Sequence, residues 1–277
     1  MHLRLDKKSL EQAIYKVPMP YQVRQHHKYP IDNVHEFERW FRDNTTAEEF
    51  AGKNRTYLPV MWTAYLCNNG YGRKFTPKRL LQNFIDTLPR TRKYFSIVQY
   101  DDGPMVDFRN IDIKIFGMSG GRIDYPIPLL CQPHPYEFPN AKKDIFCSFI
   151  GADTHPMRRE LVKEFKGKKD CIVDIKKTDM KKYCEILARS VFALAPRGYG
   201  KSSFRICEAM QYGATPVYIS DEFVKPYNMD DLIYVSEVKG LYRKLKDMDT
   251  PELHERIRGY KELFTYQGCK KMIIQNI

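Results

Sequence analysis

The residues from Pro196 to Arg205 combine glycine, basic and hydroxyl side chains in the way that anion-binding loops do. They read Pro-Arg-Gly-Tyr-Gly-Lys-Ser-Ser-Phe-Arg and lie between a predicted strand, 191–195, and a predicted helix, 203–212. Glycine lets the backbone approach a ligand closely, and N–H groups, cations and hydroxyls bind phosphate oxygens. The serines can alternatively cap the helix. Within the segment 190–221 we predict a diphosphate site formed by Arg197, Gly198, Lys201, Ser202, Ser203 and Arg205.

Arg205 and Glu208 are three residues apart, so they lie on one face of the predicted helix. In one interpretation they form an ion pair within the helix. In the other, Arg205 binds phosphate and Glu208 accepts hydrogen bonds from ribose hydroxyls. The adjoining glycine-containing loop favours the second interpretation.

The triplet Gly200-Lys201-Ser202 also matches the end of the nucleotide-binding pattern G-x-x-x-x-G-K-[ST]. That pattern requires a glycine at position 195, where this chain has Ala195. A P-loop phosphotransferase therefore stays an alternative function, and it predicts Mg²⁺-dependent hydrolysis of ATP or GTP.

Short apolar strands alternate with helices in the second half of the chain. The predicted strands are 145–150, 171–175, 191–195 and 215–219. This order indicates a parallel sheet covered on both faces, with ligands at the carboxyl ends of its strands. The proline-rich stretch 125–139 is predicted to be an extended connection. We therefore predict an acceptor-binding domain over 1–139, a nucleotide-sugar-binding domain over 140–250, and a helical segment over 251–277 that packs back over both.

The formal net charge of +12 predicts an anionic partner. Many of the lysines lie between 163 and 182, where they alternate with acidic residues. That pattern is typical of a solvated face, although a basic nucleic-acid-binding protein is the non-enzymatic alternative. The favoured interpretation involves no nucleic acid.

The spacing of the cysteines and the hydropathy of the chain indicate where in the cell the protein is located. The seven cysteines form no C-x-x-C pair, which predicts free thiols rather than a disulfide framework or a zinc site. No apolar run approaches the ~18 residues of a membrane span, and the first residues lack a signal-peptide pattern. The sequence predicts a soluble, cytoplasmic protein.

The segment from Pro196 to Asp221 resembles the donor site of the exostosin-like glycosyltransferases. The resemblance rests on Pro-Arg-Gly at 196–198, Ser203-x-Arg205, Glu208, Gly-Ala-Thr-Pro-Val at 213–217 and Asp221, and it extends over about 90–225. Upstream, the strand ending at Gly151 and the helix start at Arg158 are similar to that family's strand, glycine turn and basic helix. The resemblance implies that Gly151, Arg158 and Glu208 also bind the donor.

The resemblance further implies a GT-B-like α/β fold, with two Rossmann-like domains whose parallel sheets face a central cleft. It implies inverting transfer from a nucleoside diphosphate sugar to a glycan or glycoprotein hydroxyl. Ala214-Thr215 stands where the family often has Cys-Ile, and the usual N-terminal anchor is missing. The compact form is similar to viral members that transfer xylose, which makes UDP-xylose the suggested donor.

Inverting transfer needs a base that takes the acceptor proton. Asp101 and Asp102 follow the predicted strand 95–100, and in the family an Asp-His pair often follows a comparable strand. They are the candidate catalytic residues, although Asp-Asp-Gly-Pro is equally a turn sequence. Asp153 and His155 are weaker candidates.

A metal-dependent transferase would need an Asp-x-Asp motif after an apolar strand. The triplet Asp247-Met-Asp249 follows a basic stretch instead and is predicted to be a loop. We therefore expect no metal and no other cofactor.

Overall fold

The computed structural model describes residues 13–19, 21–22, 37–50, 52–118 and 120–277. Its main elements, in chain order, are α1 (Phe37–Asp43), β1 (Thr56–Tyr57), α2 (Trp62–Asn68), α3 (Phe75–Asp86), β2 (Lys93–Val98), β3 (Asp112–Gly117), β4 (Tyr125–Pro126), β5 (Ile145–Gly151), α4 (Pro156–Glu164), β6 (Cys171–Ile175), α5 (Met180–Arg189), β7 (Ser190–Pro196), α6 (Arg205–Gln211), β8 (Thr215–Ile219), β9 (Ile233–Val235), α7 (Leu241–Met248), α8 (Pro251–Arg258) and α9 (Tyr266–Gln275). In the part of the chain described, none of the helices has the length and apolar character needed to cross a bilayer.

The chain forms two compact units, each built on one parallel sheet. The first unit contains the residues up to Ile127 together with Tyr266–Ile277, and the second is Pro128–Thr265. Strand neighbours in both sheets run parallel. The α/β class with two parallel sheets, predicted from the sequence, is confirmed.

The sheet of the first unit follows the order of the chain, β1-β2-β3-β4. Its central strand β2 is buried from Tyr94 onward, as expected for a strand covered on both faces. Trp62 at the start of α2 donates a 2.8 Å hydrogen bond from its indole N–H to Ser96 of β2. In the described part of the chain, the order of the strands in this sheet does not reverse, so the sheet has no topological switch point there.

The sheet of the second unit has the order β6-β5-β7-β8-β9. The four strands predicted in this half and the predicted helix 203–212 are found with shifts of at most two residues at their ends. Strands β5, β7 and β8 are almost entirely buried, because helices cover both faces of such a sheet. The chain turns to one side after β5 and to the other side after β7, which places the switch point between these two strands.

The division of the chain differs from the predicted domain limits in two places. Residues 128–139, predicted to close the first domain, belong to the second unit, where Tyr212 donates to the carbonyl oxygen of Tyr136. Residues 266–277, predicted to pack over both domains, belong to the first unit. There the ring of Tyr266 contacts Phe37 and Trp40 of α1 at centroid distances of 5.1 and 5.2 Å. A hydrogen bond in the first case and aromatic packing in the second thus connect elements that are far apart in sequence.

A buried carboxylate, Glu38 of α1, ties three elements of the first unit together. The residue is 2% exposed, and it accepts hydrogen bonds from the backbone and hydroxyl of Thr63 and from the backbone N–H of Gln99. Burial raises its pKa to about 7, against the lowering effect of these hydrogen bonds. Since the folded pKa exceeds the ordinary value of 4.5, the folded state retains a proton that the unfolded state has lost between these pH values.

This linkage predicts a pH-dependent stability. The contribution of Glu38 is complete below about pH 4.5 and is lost as the pH rises through 7, at a cost of about 3 kcal/mol. We expect urea unfolding of the wild type to show this fall between about pH 4.5 and 7, and the variant Glu38→Gln to lack it. Glu237→Gln, at an exposed position, is the matched control. Equal pH slopes in the wild type and Glu38→Gln would disprove the linkage.

Candidate functional site

Two loops meet at the carboxyl edge of the second sheet, where its strand order reverses. One loop follows β5 and leads into α4, and the other follows β7 and leads into α6. Ligands of open parallel sheets bind at this position. Most of the residues predicted to bind a diphosphate lie on these loops or on the first turns of the two helices.

Arg158, on the first turn of α4, links the two loops. Its guanidinium donates hydrogen bonds to the carbonyl oxygens of Ala152, Pro196 and Arg197 at 2.9, 3.2 and 2.9 Å. It also lies over the ring of Phe149, 5.5 Å from the ring centroid, and the residue is 9% exposed. A cation is therefore fixed at the switch point by neutral oxygens and an aromatic face.

Arg205, the first residue of α6, is the second buried cation at this edge. Its guanidinium donates to the carbonyl oxygen of Ile150, the penultimate residue of β5, and to the hydroxyl of Tyr183. The group stacks over Phe149, 4.6 Å from the ring centroid, and the residue is 8% exposed. Among the described residues, no carboxylate forms an ion pair with it within 4 Å. The same phenyl ring thus supports both arginines.

Glu208 faces a buried polar network instead of an open ligand site. One carboxylate oxygen lies 3.0 Å from Nε2 of His134, and the other accepts a hydrogen bond from Tyr183. Burial alone would raise the pKa of Glu208, but these hydrogen bonds and the charge of Arg205 hold it below the ordinary value. The ion pair with Arg205 considered in the sequence interpretation is absent, and ribose hydroxyls would have to share the carboxylate with His134 and Tyr183.

His134 is a residue of this network that the sequence did not reveal. It lies in the proline-rich stretch, 74 residues before its partner Glu208, so no local spacing connects the two. His254 also has long-range side-chain contacts, to Thr215 and Asp249.

Arg197 and Lys201 lie on the predicted loop, but each already has an anionic partner. The guanidinium of Arg197 pairs with Asp221, and the ammonium of Lys201 pairs with Glu222. The hydrogen bond from Arg197 lowers the pKa of the Asp221 carboxyl. A diphosphate that binds these cations would compete with two carboxylates of the loop after β8.

Ser202 and Ser203 are largely buried, and neither occupies the N-cap position of α6. The helix begins after Phe204, which makes no side-chain capping bond, while Ser203 accepts a 3.4 Å hydrogen bond from the N–H of Arg205. Ser202 is hydrogen-bonded to the hydroxyl of Tyr218. Of the two serines, Ser203 therefore accepts a hydrogen bond at the start of α6, as the capping alternative expects.

Gly151 and Gly198 stand where a side chain would disturb the two arginines. A Cβ at Gly151 would lie 3.4 Å from a terminal nitrogen of Arg205, and one at Gly198 would lie 3.2 Å from a terminal nitrogen of Arg158. The hydroxyl oxygen of Thr154 is 3.4 Å from the position that a Cβ at Gly198 would occupy. This oxygen is buried without a hydrogen-bond partner in the protein, and no sequence motif marked it.

The weaker candidates on the loop after β5 have structural roles. Both carboxylate oxygens of Asp153 accept from Arg159, at 2.9 and 2.8 Å. The imidazole of His155 caps α4 by accepting from the N–H of Met157. Burial, followed by the positive charge of Arg197, lowers the pKa of His155, which keeps the ring neutral and able to accept this bond.

In the first unit, Asp101 and Asp102 lie in a turn at the carboxyl edge of its sheet. The N–H of Gly103 donates to the carbonyl oxygen of Tyr100 at 3.0 Å, and the N–H of Gly120 donates to that of Asp101 at 2.7 Å. A Cβ at Gly120 would lie 2.7 Å from the Asp101 oxygen, so the glycine permits this close approach. The turn interpretation is correct for the backbone, while the Asp102 side chain is exposed.

The Asp-x-Asp triplet is partly helical, contrary to the predicted loop. Asp247 belongs to α7, and Asp249 follows that helix and contacts Nε2 of His254 at 2.8 Å. Across the described ranges, no group of three or more His, Cys, Asp or Glu side chains is arranged to hold a metal ion.

Residues 115–236 match the family model of the Exostosin GT47 domain. This range contains β5 to β8 and both loops of the switch point. It also contains each of the predicted donor-binding residues, but neither Asp101 nor Asp102.

Two curated proteins are similar to this chain over part of their lengths. The Exostosin-1 homolog of Caenorhabditis elegans is 29% identical over 42% of this chain and 38% of that protein. The probable glycosyltransferase At3g07620 of Arabidopsis thaliana is 33% identical over 45% of this chain and 26% of that protein. The matched regions thus span well under half of either relative.

Among solved structures, the GtfA/B complex matches 73% of this chain and 44% of that chain, at 11% identity and a TM-score of 0.33. A score this low does not establish a shared fold.

Proposed function

We propose that this chain is a glycosyltransferase that binds a nucleoside diphosphate sugar at the switch point of the second sheet. Transfer inverts the configuration at the anomeric carbon and attaches the sugar to a hydroxyl of a glycan or glycoprotein. The architecture proposed for the reaction is GT-B-like. The donor's diphosphate is held by Arg158, Arg205 and the loop from Arg197 to Ser203.

The observation that carries the proposal is the pair of buried guanidinium groups at the switch point. Arg158 and Arg205 are held by carbonyl oxygens, a phenol and a phenyl face, and a guanidinium binds phosphate oxygens in a planar, bidentate way. The unpartnered hydroxyl of Thr154 and the bare backbone at Gly198 lie beside them. The match of this region to the Exostosin GT47 domain supports the same assignment.

In the proposed reaction, the acceptor oxygen attacks the anomeric carbon while the bond from that carbon to the diphosphate breaks. The bonding electrons pass to the diphosphate, whose charge the arginines stabilise. The acceptor proton passes to the carboxylate of Asp101 or Asp102, which acts as general base. The two guanidinium groups take the part that a divalent cation plays elsewhere, so we propose that no metal or other cofactor takes part.

The finer assignment is a β-xylosyltransferase of the compact viral kind, with UDP-xylose as donor and the cytoplasm as its location. Its support is the resemblance of the segment 196–221 to the family's donor site. The domain roles follow from the same resemblance, with the acceptor bound by the N-terminal half of the chain and the donor by the C-terminal half.

A panel of nucleotides and nucleotide sugars, read by thermal unfolding, tests the proposal. A ligand at 100 times its Kd adds ~2.7 kcal/mol to the free energy of unfolding, so UDP or UDP-xylose is expected to raise the Tm by several degrees. We expect this shift, and transfer to a glycan acceptor, to persist in EDTA. Loss of both in EDTA would contradict a metal-independent site.

The same panel separates the alternatives. Mg²⁺-dependent hydrolysis of ATP or GTP, without any response to nucleotide sugars, would indicate the P-loop phosphotransferase. Salt-sensitive binding of random oligonucleotides, again without a response to UDP or GDP sugars, would indicate a nucleic-acid-binding protein. Either result would overturn the proposed function.

A further inference from the structure

The aromatic side chain of Tyr199 projects from the middle of the loop after β7. The residue is 73% exposed and lies between Gly198 and Gly200. In the part of the chain that the structure describes, its ring contacts no other aromatic ring and no cation. A single exposed aromatic residue is ordinary on a protein surface, but Tyr199 lies between the two glycines of the proposed diphosphate loop.

The backbone on either side of this ring is anchored. Nη2 of Arg197 donates to the carbonyl oxygen of Tyr199 at 3.4 Å, and Nε donates to that of Gly200 at 3.3 Å. The loop is therefore held from within, and the ring is presented outward from a fixed base. Because neither flanking glycine has a side chain, the sequence neighbours cover neither face of the ring.

The other tyrosines at this edge are used differently. Tyr183 and Tyr218 are 8% and 0% exposed, and their hydroxyls bond to Glu208 and to the carbonyl oxygen of Lys201. Tyr199 thus supplies an open aromatic face on the loop that leads from β7 to Arg205. Consecutive Cα atoms are about 3.8 Å apart. The Cα of Tyr199 therefore lies about this distance from the Cα of Gly198, where the diphosphate is proposed to lie.

We propose that Tyr199 is a stacking platform for the nucleobase of a nucleoside diphosphate whose phosphates lie against Arg158 and Arg205. The inference rests on the proposed function and adds to it the position of the base. Stacking on an aromatic ring contributes about 1–3 kcal/mol per base and tolerates any base, since every base has a π face. Specificity for uracil must then come from other contacts.

The test compares UDP with inorganic pyrophosphate, measured by isothermal titration on the full chain. We expect Tyr199→Ala to weaken UDP about tenfold, equivalent to ~1.4 kcal/mol, and to leave the Kd of pyrophosphate unchanged. Tyr199→Phe keeps the ring and is expected to bind UDP as the wild type does. The matched control is Phe75→Ala, which removes a 72% exposed aromatic residue from the first unit.

The outcomes separate this inference from the proposed function. Wild-type affinity for UDP in Tyr199→Ala would overturn the stacking role, and so would an equal loss of UDP and pyrophosphate, which would mean that the substitution disturbs the loop. A wild-type protein that binds neither probe would refute the diphosphate site itself.

Discussion

Arg205→Ala is expected to weaken UDP binding by about 100-fold or more and to reduce sugar transfer at least as much. In the proposed complex, Arg205 and the diphosphate form a buried, hydrogen-bonded charge pair. Loss of one partner of such a pair costs about 2–5 kcal/mol, and a tenfold change in Kd corresponds to 1.4 kcal/mol. The guanidinium is fixed by Ile150 and Tyr183 and supported by Phe149. It is therefore organised before the donor arrives, and its loss cannot be replaced by a flexible neighbour.

Two further variants separate binding from folding. Arg205→Lys keeps the charge but loses the planar donors, so its affinity for UDP should lie between those of the wild type and Arg205→Ala. Arg159→Ala, at an exposed position on the same loop and helix region, should bind UDP normally. Circular dichroism and thermal unfolding check that each variant is folded. A folded Arg205→Ala that binds UDP with wild-type affinity would contradict the proposed site.

The second sheet was predictable because its signals are local. Strands buried on both faces appear in the sequence as short continuous apolar runs, and the runs at 145–150 and 191–195 correspond to β5 and β7. Parallel strands end at one edge, so the loops that follow these runs were expected to converge. The placement of Arg158, Gly198 and Arg205 at that edge follows from this rule.

The contacts that modify the site are not local, and the sequence did not predict them. Glu208 meets His134 across 74 residues, and Arg197 meets Asp221 across 24. Neither pair has a spacing that a helix or strand would produce. Glu38, which meets Gln99 across 61 residues, was missed for the same reason. Side-chain partners chosen by tertiary packing are not encoded in the spacing of residues along one element.

Arg197 pairs with Asp221 and Lys201 pairs with Glu222. We expect these ion pairs to reduce what the two cations contribute to donor affinity. In the absence of donor, the two carboxylates neutralise cations that the diphosphate would otherwise meet. Both carboxylates are more than half exposed, so water and salt weaken these pairs. Arg158 and Arg205 are buried and are held by carbonyl oxygens of the backbone, so we expect them to be the stronger determinants of donor binding.

Because its carboxylate is exposed, Asp102 is the first candidate for the general base. Asp101, its neighbour in the same turn, is the second candidate. For whichever residue is the general base, replacement by Asn is expected to lower kcat by about 10²–10⁴-fold. Asparagine preserves the size of the side chain but cannot accept the acceptor proton. Both residues lie in the first unit, so the Kd for UDP, measured by titration calorimetry, should not change.

A matched control and a pH profile distinguish a base from a residue that shapes the turn. Asp86→Asn changes an exposed carboxylate at the end of α3 and should leave both kcat and Kd unaltered. The acidic limb of the kcat profile, which reports deprotonation of the base, should be lost in the variant of the true base and kept in the other. Because the backbone of Asp101 also accepts from Gly120, unfolding curves must confirm that the turn is intact. Full transfer activity in both Asn variants would remove the turn from the reaction and leave the proton acceptor to be sought elsewhere in the chain.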